Sequence, residues 1–544
     1  MNTRQLQTDK NQKLYHALLG ILLVCALAMM MLLSYWACKY SYYGAVDGRT
    51  RGVLVGDKTW AHIAVFLAAS LCTMGIDKVL MKKDKSQQEK ICLCTLIVTS
   101  VIAFILGVFY VCKNPYYPVG DQINTTAFAA YCRDGNFSML SIGGYVGMYQ
   151  QQKGLAILYE ILFTLFGDFN YRPAKILHVV WWILTILAGY GFLKLNTDRP
   201  VFRMLYCVMM LGCFPLLFYL PYIYGDVLSI SFGIILFYGV AAYEHSGQKR
   251  YIALASFAAG LAVLARKNTW VVLVAVAVYV LLVSLRKKKV RYLMAGTAIL
   301  LTAALSVKAV DVIYEVRSGY PSGVGIPSIL WVAMGLQETE GRAGVYNRYQ
   351  QATFTDYDCQ QELAAQQGKE YIRERLEEFS QDPGMAFNFF KNKVEGQWIE
   401  PMYAALESTE SFEEGAELSP VLESLYYGEL GRTIWKLTNY YQSILYLAGF
   451  MALVMLGILW WKKKEVPISL WLPWIAVFGG FLFSILWEAK SRYVFPYCVF
   501  MILYVPEGLY QTGLLLCKLP KLRKFKKSRH TQDKGEEAPL RETA

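Results

Sequence analysis

The sequence predicts an all-α polytopic membrane protein with about 12 transmembrane helices. The chain of 544 residues is 55% hydrophobic and only 17% charged, and its mean hydropathy is +0.31. A soluble protein of this length would carry more charge. The chain also contains many apolar runs of about 18 residues or more, each long enough to cross a hydrocarbon core of about 30 Å.

The predicted spans are, in chain order, Leu14–Tyr35, Trp60–Val79, Ile91–Cys112, Ile176–Leu195, Val201–Ile223, Val227–Tyr243, Ile252–Ala265, Trp270–Leu285, Tyr292–Val310, Ile434–Trp460, Val466–Trp487 and Val494–Leu514. The first run has no small-residue cleavage site after it, so we expect a retained helix. The shorter apolar stretch Gly154–Phe166 would reach only about 20 Å as a helix, which is too short to cross.

Loop charges decide the topology. If Gly154–Phe166 does not cross, the loops "MKKDKSQQEK" (81–90), "RKKKVR" (286–291) and "WKKKE" (461–465) and the tail "KLRKFKKSRH" (521–530) all face the cytoplasm, as the positive-inside rule requires. If it crosses, 286–291 and 461–465 face outside. We therefore predict a juxtamembrane helix on the outer surface and two cytoplasmic termini.

The chain divides into five predicted regions. They are an N-terminal pair of transmembrane helices (1–90), a transmembrane core (91–310) with an external acidic loop (113–153), an external insert (311–432), the C-terminal transmembrane helices (433–516) and a basic tail (517–544). The insert should form a small helical subdomain, because mixed-charge helical stretches at 359–379 and 385–398 flank the helix breaker "DPG". The tail, rich in charge and poor in apolar residues, is predicted to be disordered.

The net charge of +13 does not indicate nucleic-acid binding, since the excess lies in the short basic loops and the tail. The twelve cysteines are scattered, mostly in apolar runs, and form no CxxC pair and no Cys/His cluster. Neither a zinc site nor a disulfide framework is expected.

With this topology, acids and bases gather at the outer ends of the spans. They are Asp121, Lys153, Asp226, Arg266, Lys267, Glu488, Lys490 and Arg492. Carboxylates at a membrane–water boundary suit general-base and positioning roles. Arginine forks and lysine point charges suit phosphate binding. By contrast, the middle third of each predicted span lacks ionisable residues, although ion-coupled transporters normally need them there.

Each of these residues also has a structural interpretation. Asp121 and Asp226 could cap the helices that follow them. Isolated basic residues at span ends, such as Lys153, Arg266 and Arg492, are commonly anchors for lipid headgroups. The surrounding tyrosines could belong to the interfacial aromatic belt. Only the joint occurrence of acids and bases on one face favours a functional site.

Five stretches, in this order, resemble one enzyme class. They are "YPVGDQINTTAFAAYCRDGNF", "YQQQKGLAILYEILFTLFGDFNYRPAKIL", "YLPYIYGDVLSISF" with "GLAVLARKNTW", and "WEAKSRYVFPYCVF". The chain resembles GT-C glycosyltransferases that use polyprenyl-phosphate sugars, and within them the branch of protein O-mannosyltransferases and bacterial aminoarabinose transferases. The resemblance covers roughly residues 91–300 and 466–505.

The resemblance implies sugar transfer from a polyprenyl-phosphate donor to an acceptor hydroxyl of a cell-envelope glycan, lipid or protein, with inversion, at the external face of the plasma membrane. It implies Asp121 and Asp226 as catalytic carboxylates. Donor phosphate would bind Lys153, Arg266, Lys267 and Arg492. Tyr117, Gln122, Glu488 and Tyr493 would position substrates.

The resemblance implies no cofactor, although a divalent metal near Asp226 stays an alternative. Membrane lipids are expected as partners, and nucleic acid is not. Two other functions stay open. A flippase or exporter of lipid-linked saccharide would need a polar path through the membrane. A polymerase or ligase of such saccharides would need external Arg and His clusters, and the chain has only five histidines.

Overall fold

Apolar runs in this protein fold into helices, because backbone polar groups inside a bilayer must hydrogen-bond within their own segment. The computed structural model describes residues 3–43, 53–323, 325–464 and 466–532. The α-helices are, in chain order, α1 (Thr3–Lys39), α2 (Thr59–Leu80), α3 (Lys85–Lys113), α4 (Asp121–Arg133), α5 (Tyr145–Met148), α6 (Lys153–Phe166), α7 (Arg172–Asn196), α8 (Pro200–Leu211), α9 (Phe214–Phe218), α10 (Asp226–Ser246), α11 (Lys249–Ala265), α12 (Trp270–Lys287), α13 (Val290–Ser318), α14 (Ile329–Gly335), α15 (Tyr349–Asp356), α16 (Gln361–Gln381), α17 (Pro383–Trp398), α18 (Ala405–Ser408), α19 (Pro420–Tyr427), α20 (Glu429–Trp461), α21 (Leu472–Leu486), α22 (Ser491–Met501) and α23 (Val505–Gln532).

Two small antiparallel hairpins accompany the helices. The strands are β1 (Tyr40–Tyr43), β2 (Val53–Gly56), β3 (Glu338–Thr339) and β4 (Arg342–Ala343). Tyr40 pairs with Gly56 in the first hairpin, and Glu338 pairs with Ala343 in the second. The first hairpin lies between the first two predicted spans, in a loop of which residues 44–52 are outside the described part of the chain.

Among the described residues, ten helical stretches are long and apolar enough to cross a membrane. They are Asn11–Lys39, Thr59–Leu80, Lys85–Lys113, Arg172–Asn196, Asp226–Ser246, Lys267–Lys287, Val290–Ser318, Glu429–Trp461, Ile468–Leu486 and Ser491–Lys518. The protein is therefore all-α and built as a multi-pass membrane protein. Ten, and not twelve, stretches meet this length and composition, because the fifth and seventh predicted spans are shorter helices.

The seventh predicted span is α11, whose 17 residues measure about 26 Å. It lies antiparallel to α10, with which it makes a close approach at two levels. A Cβ at Gly225 would lie 2.0 Å from the carbonyl oxygen of Ala265, and a Cβ at Gly239 would lie 3.1 Å from Cβ of Ala255. α11 therefore follows α10 over most of its length.

The prediction of one continuous helix over 201–223 was wrong. α8 ends at Leu211, and α9 is a separate helix of five residues. The sequence "GCFP" explains the break, since Gly212 weakens a helix and Pro215 cannot donate a backbone hydrogen bond. The interrupted segment still runs alongside α3, because Cys92 contacts the carbonyl of Pro200 near one end and a Cβ at Gly107 would meet Leu220 near the other.

The ambiguous stretch 154–166 forms α6, a helix of 14 residues that is not among the ten membrane-spanning candidates. Its first turn packs directly on the end of α11, since a Cβ at Gly154 would lie 2.6 Å from the carbonyl oxygen of Leu264. Tyr159 and Phe163 are buried on its inner face. α6 thus lies at the end of the bundle where α11 stops.

The insert contains the predicted helices as α16 and α17, separated at Asp382, whose side chain accepts a hydrogen bond of 2.9 Å from the backbone of Met385. Its predicted first residue, Asp311, lies within α13, which continues to Ser318. The basic tail also departs from the prediction. α23 continues to Gln532, in keeping with the helix-forming Leu, Lys and Arg of this stretch. Residues 533–544 are outside the described part.

Backbone hydrogen bonds join the insert to four other loops at one end of the bundle. They run from Tyr42 to Ile399 (3.0 Å), from Tyr117 to Ser411 (2.9 Å), from Ile326 to Met148 (2.9 Å) and from Ala489 to Gly344 (2.7 Å). These loops include the segments that precede Asp121 and Arg492. The insert is therefore part of the structure that carries the predicted site residues.

Candidate active site

A cavity of about 690 Å³ opens where α11 and α21 end and α12 and α22 begin. Charged side chains from distant parts of the chain line it. Among the described residues, the acids that line it are Asp121, Glu400, Glu407 and Glu488, and the bases are Arg266, Lys267, Arg342, Lys393, Lys490 and Arg492. Six of the ten predicted site residues, namely Asp121, Arg266, Lys267, Glu488, Arg492 and Tyr493, thus meet in one cavity.

Asp121 is exposed to the cavity and begins α4. It is the first helical residue and makes no side-chain cap, since the N-cap position is Gly120. Its carboxylate instead accepts a hydrogen bond of 2.8 Å from the hydroxyl of Tyr145. An accessible carboxylate with a fixed orientation is suited to accept a proton.

Asp226 is buried between two arginines and does not line the cavity. Its Oδ2 accepts a hydrogen bond of 3.0 Å from Nη1 of Arg266, and its Oδ1 lies 3.9 Å from Nε of Arg492. The absence of a side chain at Gly225 permits this arrangement, because a Cβ there would collide with Ala265, the residue before Arg266. Asp226 therefore holds the two guanidinium groups in place.

Aromatic rings enclose both arginines. The guanidinium carbon of Arg266 lies 5.1 Å from the ring centroid of Tyr224 and 5.4 Å from that of Tyr493. The same carbon of Arg492 lies 5.2 Å from the ring of Tyr222, whose hydroxyl also accepts a hydrogen bond from this arginine. The N–H groups of each guanidinium that Asp226 and Tyr222 do not use can bind a planar or tetrahedral anion. The geometry thus favours anion binding by both arginines.

Glu488 is buried beside the hydroxyl of Tyr493, which lies 3.4 Å from each carboxylate oxygen. Burial raises the pKa of Glu488 to about 7, against the charge of Lys490, which lowers it. Near neutral pH this carboxyl therefore exchanges a proton readily.

The two predicted phosphate-binding lysines differ in their surroundings. Lys153 is buried, forms an ion pair with Asp311 and donates a hydrogen bond of 2.8 Å to Ser322. It does not line the cavity. Lys267 does line the cavity, and it donates to the hydroxyl of Ser328 at 3.1 Å. The structure therefore separates Lys153 from the other basic residues.

The two predicted positioning residues of the acidic loop also lie outside the cavity lining. Gln122 is buried and accepts a hydrogen bond of 2.7 Å from the hydroxyl of Tyr116. Tyr117 packs edge-on against Tyr171, with ring centroids 5.9 Å apart. Both side chains fix the loop that leads to Asp121.

The insert supplies a wall of the cavity that sequence reasoning missed. We define the insert wall as Arg342, Lys393, Glu400 and Glu407. Burial lowers the pKa of Lys393 to about 7, against the charge of Glu488, which raises it. Burial also raises the pKa values of Glu400 and Glu407, and for Glu400 the neighbouring charge of Glu407 adds to the effect.

One signal in the sequence could have identified this wall. The stretch "QWIEPMYAALE" (397–407) follows the end of α17 and holds two acids within an apolar segment. Glu400 is buried and accepts backbone hydrogen bonds from Met402 (2.8 Å) and Ala404 (2.5 Å). Acids in so apolar a stretch are rarely solvent-facing charges.

In the described part of the chain, no group of three or more His, Cys, Asp or Glu side chains is arranged to hold a metal ion. Near Asp226, where a metal was the alternative, the carboxylate is occupied by Arg266. No family model, curated protein or solved structure matches this chain. The chemistry of the cavity is therefore the basis for assigning a function.

Proposed function

We propose that this protein is a membrane glycosyltransferase that moves a sugar from a polyprenyl-phosphate donor to an acceptor hydroxyl, at the external face of the plasma membrane. One observation carries the proposal. The accessible carboxylate of Asp121 and the paired guanidinium groups of Arg266 and Arg492 share one cavity at the end of an apolar helix bundle.

In the proposed reaction, Asp121 takes the proton of the acceptor hydroxyl while the hydroxyl oxygen attacks the anomeric carbon. The bond between that carbon and the phosphate oxygen breaks, and its electron pair stays on the phosphate. A single displacement of this kind inverts the anomeric centre. Tyr145, which donates to Asp121, orients the carboxylate for the proton transfer.

Arg266 and Arg492 would bind the donor phosphate. Charge-assisted hydrogen bonds from a guanidinium fork are short and strong, and they gain strength as negative charge develops on the leaving oxygen. Asp226 is a positioning residue in this scheme, since its carboxylate is directed at both arginines and away from the cavity.

Of the two lysines predicted to bind phosphate, only Lys267 keeps that role in the proposal. Lys153 is bound to Asp311 and holds α6 against α13. Lys267 stays a phosphate contact at the cavity edge. Glu488 and Tyr493 would position the sugar, since both line the cavity beside the arginines.

The location of the cavity supports a lipid-linked donor. A cavity at the end of the bundle can bind a phosphate at the membrane surface while the prenyl tail of the same donor stays in the bilayer. The proposal includes twelve crossings with both termini cytoplasmic, so α11 and the broken α8–α9 segment both cross. They accompany α10 and α3 over most of their lengths.

The test is incubation of the purified protein with a panel of polyprenyl-phosphate sugars, with and without acceptor extracts, and measurement of polyprenyl phosphate release. The Asp121→Asn variant keeps the shape and loses the base, so we expect turnover to fall by about two to four orders of magnitude. Donor binding should be largely kept. Asp134→Asn is the matched control, because Asp134 is exposed at the other end of α4.

The same experiment separates the alternatives. A flippase or exporter would release no polyprenyl phosphate and would move lipid-linked saccharide equally well with Asn at position 121. A polymerase or ligase would transfer whole oligosaccharides and leave monosaccharide donors intact. Normal sugar transfer by Asp121→Asn would exclude Asp121 as the base.

A further inference from the structure

Lys490 is the lysine of the cavity whose ammonium has no close partner. Among the described residues it makes no side-chain hydrogen bond and no ion pair within 4.0 Å. The other two lysines that line the cavity are bound, Lys267 to the hydroxyl of Ser328 and Lys393 to the carbonyl of Gly335. A cation that lines a cavity without a partner is available to a ligand.

A second unused donor lies next to it. Arg492 is only 6% exposed, and its Nε has no hydrogen-bond partner. A buried N–H without an acceptor is costly, so such groups in native structures call for a specific explanation. Arg492 also lines the cavity, and its Nε lies 3.9 Å from Oδ1 of Asp226, which is too long for a hydrogen bond.

Both side chains belong to the start of α22. Lys490 is its N-cap and makes no side-chain cap, although its carbonyl accepts a hydrogen bond of 3.0 Å from the backbone N–H of Tyr493. Lys490, Ser491 and Arg492 all line the cavity. The positive end of the helix dipole therefore adds to the two cationic side chains.

The charges near this helix end are the group formed by Arg266, Arg492 and Asp226, and the separate charge of Lys490. Asp226 neutralises one of the two guanidinium groups beside it, which leaves a single positive charge on Arg266, Arg492 and Asp226 together. A donor phosphodiester carries one negative charge. When its bond to the sugar breaks, it becomes a phosphate monoester, whose charge at pH 7 is about −1.5 to −2. The second charge needs a cation of its own.

We propose that Lys490, with the amino end of α22, binds the second negative charge that the phosphate gains as the bond to the sugar breaks. This inference rests on the proposed function. The arginine pair with Asp226 binds the donor in its ground state. Lys490 then strengthens its contact as the electron pair moves onto the leaving oxygen, and it acts on the transition state more than on the donor.

The acids near Lys490 cancel its charge only in part. Its electrostatic neighbours are Asp226, Glu407 and Glu488. Asp226 is bound to Arg266, as described above. Burial raises the pKa of Glu488 to about 7 and also raises that of Glu407, so near neutral pH each carboxyl carries only part of a negative charge in the empty cavity.

The test compares two probes with the purified protein in detergent: a short-chain prenyl phosphate, which is a monoester, and its methyl ester, which is a diester. Calorimetry would give the affinity of each. We expect Lys490→Gln to weaken monoester binding by about ten- to a hundredfold, the value of a hydrogen bond between charged groups. Diester binding should change less than about threefold.

Two variants control the measurement. Lys490→Arg keeps the charge and should keep the preference for the monoester. Lys369→Gln removes one positive charge from the exposed face of α16, outside the cavity, and should leave both affinities unchanged. In turnover, Lys490→Gln should lower kcat with little change in the KM for the donor.

The outcomes are distinct. Equal weakening of both probes, or of neither, by Lys490→Gln would overturn the role of Lys490 and leave the proposed function standing. Failure of the wild-type protein to bind either probe would overturn the proposed function together with this inference. Loss of the monoester preference in both Lys490→Gln and Lys490→Arg, with folding intact, would show that the positive charge at this position is not sufficient. That result would also overturn the proposed role of Lys490.

Discussion

The carboxylate of Asp226 serves two arginines: one oxygen lies 3.0 Å from Nη1 of Arg266, and the other lies 3.9 Å from Nε of Arg492. All three side chains are largely buried. Because buried guanidinium groups lose their hydration, their charge must be compensated by a fixed neighbour. Asp226 supplies that compensation, and its removal should affect folding as well as activity.

We therefore expect Asp226→Asn to lower the free energy of unfolding by about 3–5 kcal/mol, as for other broken buried ion pairs. The double variant Asp226→Asn/Arg266→Gln should recover much of this stability, because it removes the uncompensated charge. Activity should stay low in both. Thermal unfolding in detergent, read as a double-mutant cycle, gives the coupling. If Asp226→Asn keeps full stability and loses turnover, Asp226 would instead act as a catalytic base.

Tyr145→Phe should test the orientation of Asp121. The hydroxyl of Tyr145 donates to the carboxylate at 2.8 Å, and a hydrogen bond to a charged group is worth about 1.5–3 kcal/mol. We expect kcat to fall about tenfold or more, with donor affinity kept. A lower kcat that is accompanied by a lower melting temperature in detergent would indicate a packing role only.

Gly344 links the insert to the loop before α22. Its φ is +72°, its carbonyl accepts from Ala489 at 2.7 Å, and a Cβ there would lie 2.7 Å from the carbonyl oxygen of Gly335. Gly344→Ala should therefore displace Ala489 and lower both stability and turnover. Gly341→Ala is the matched control, since φ is +73° there and no atom lies within 4 Å of the added Cβ. If both variants lose stability and turnover equally, backbone strain alone explains the loss.

The acids of the insert wall should make stability depend on pH. Burial raises the pKa values of Glu400 and Glu407 above the ordinary 4.5, so the folded protein retains protons that the unfolded chain has released. The stabilisation is fully present below about pH 4.5 and is lost as pH rises toward the raised values.

We expect the melting temperature in detergent to fall between about pH 5 and about pH 7, and the fall to be smaller in Glu400→Gln/Glu407→Gln. This range avoids Lys393, whose lowered pKa acts in the opposite direction above about 7. A pH dependence that is unchanged in the double variant would show that other groups cause it.

The predicted topology has its own test. Single cysteines at Ile142 and Glu414, in a cysteine-free background, should react with an impermeant thiol reagent in whole cells. Cysteines at Lys289 and Lys462 should react only after permeabilisation. All four positions are exposed in the structure. Labelling of the cysteine at position 289 from outside would show that the orientation is the reverse of the predicted one, with the cavity on the cytoplasmic side.

Helix positions could be predicted from the sequence because apolar runs of this length have one stable conformation in a bilayer. The break at Gly212 and Pro215 could have been expected from the residues themselves. The count of spans depends on segments near the minimum length, such as α11, where packing against α10 replaces length as the stabilising factor.

The site could be predicted only in part. Asp121, Arg266 and Arg492 follow from charge at span ends, because topology brings those ends together. Whether a charge is free depends on its partner, and Lys153 and Lys490 look alike in sequence. Asp311, which binds Lys153, was assigned to the insert. The insert wall was missed because its contacts with the cavity are set by backbone pairing between distant loops.

Because of those backbone pairings, the insert cannot be replaced without disturbing the loops that it pairs with. Its main-chain bonds to Tyr117 and Ala489 hold the segments on either side of the cavity, so transplanting another insert would displace the segments that carry Asp121 and Arg492 together. A change in what the cavity binds would have to arise by replacement of single side chains in the wall, at positions such as Arg342 or Glu407. The architecture thus confines functional divergence to a few positions on one surface.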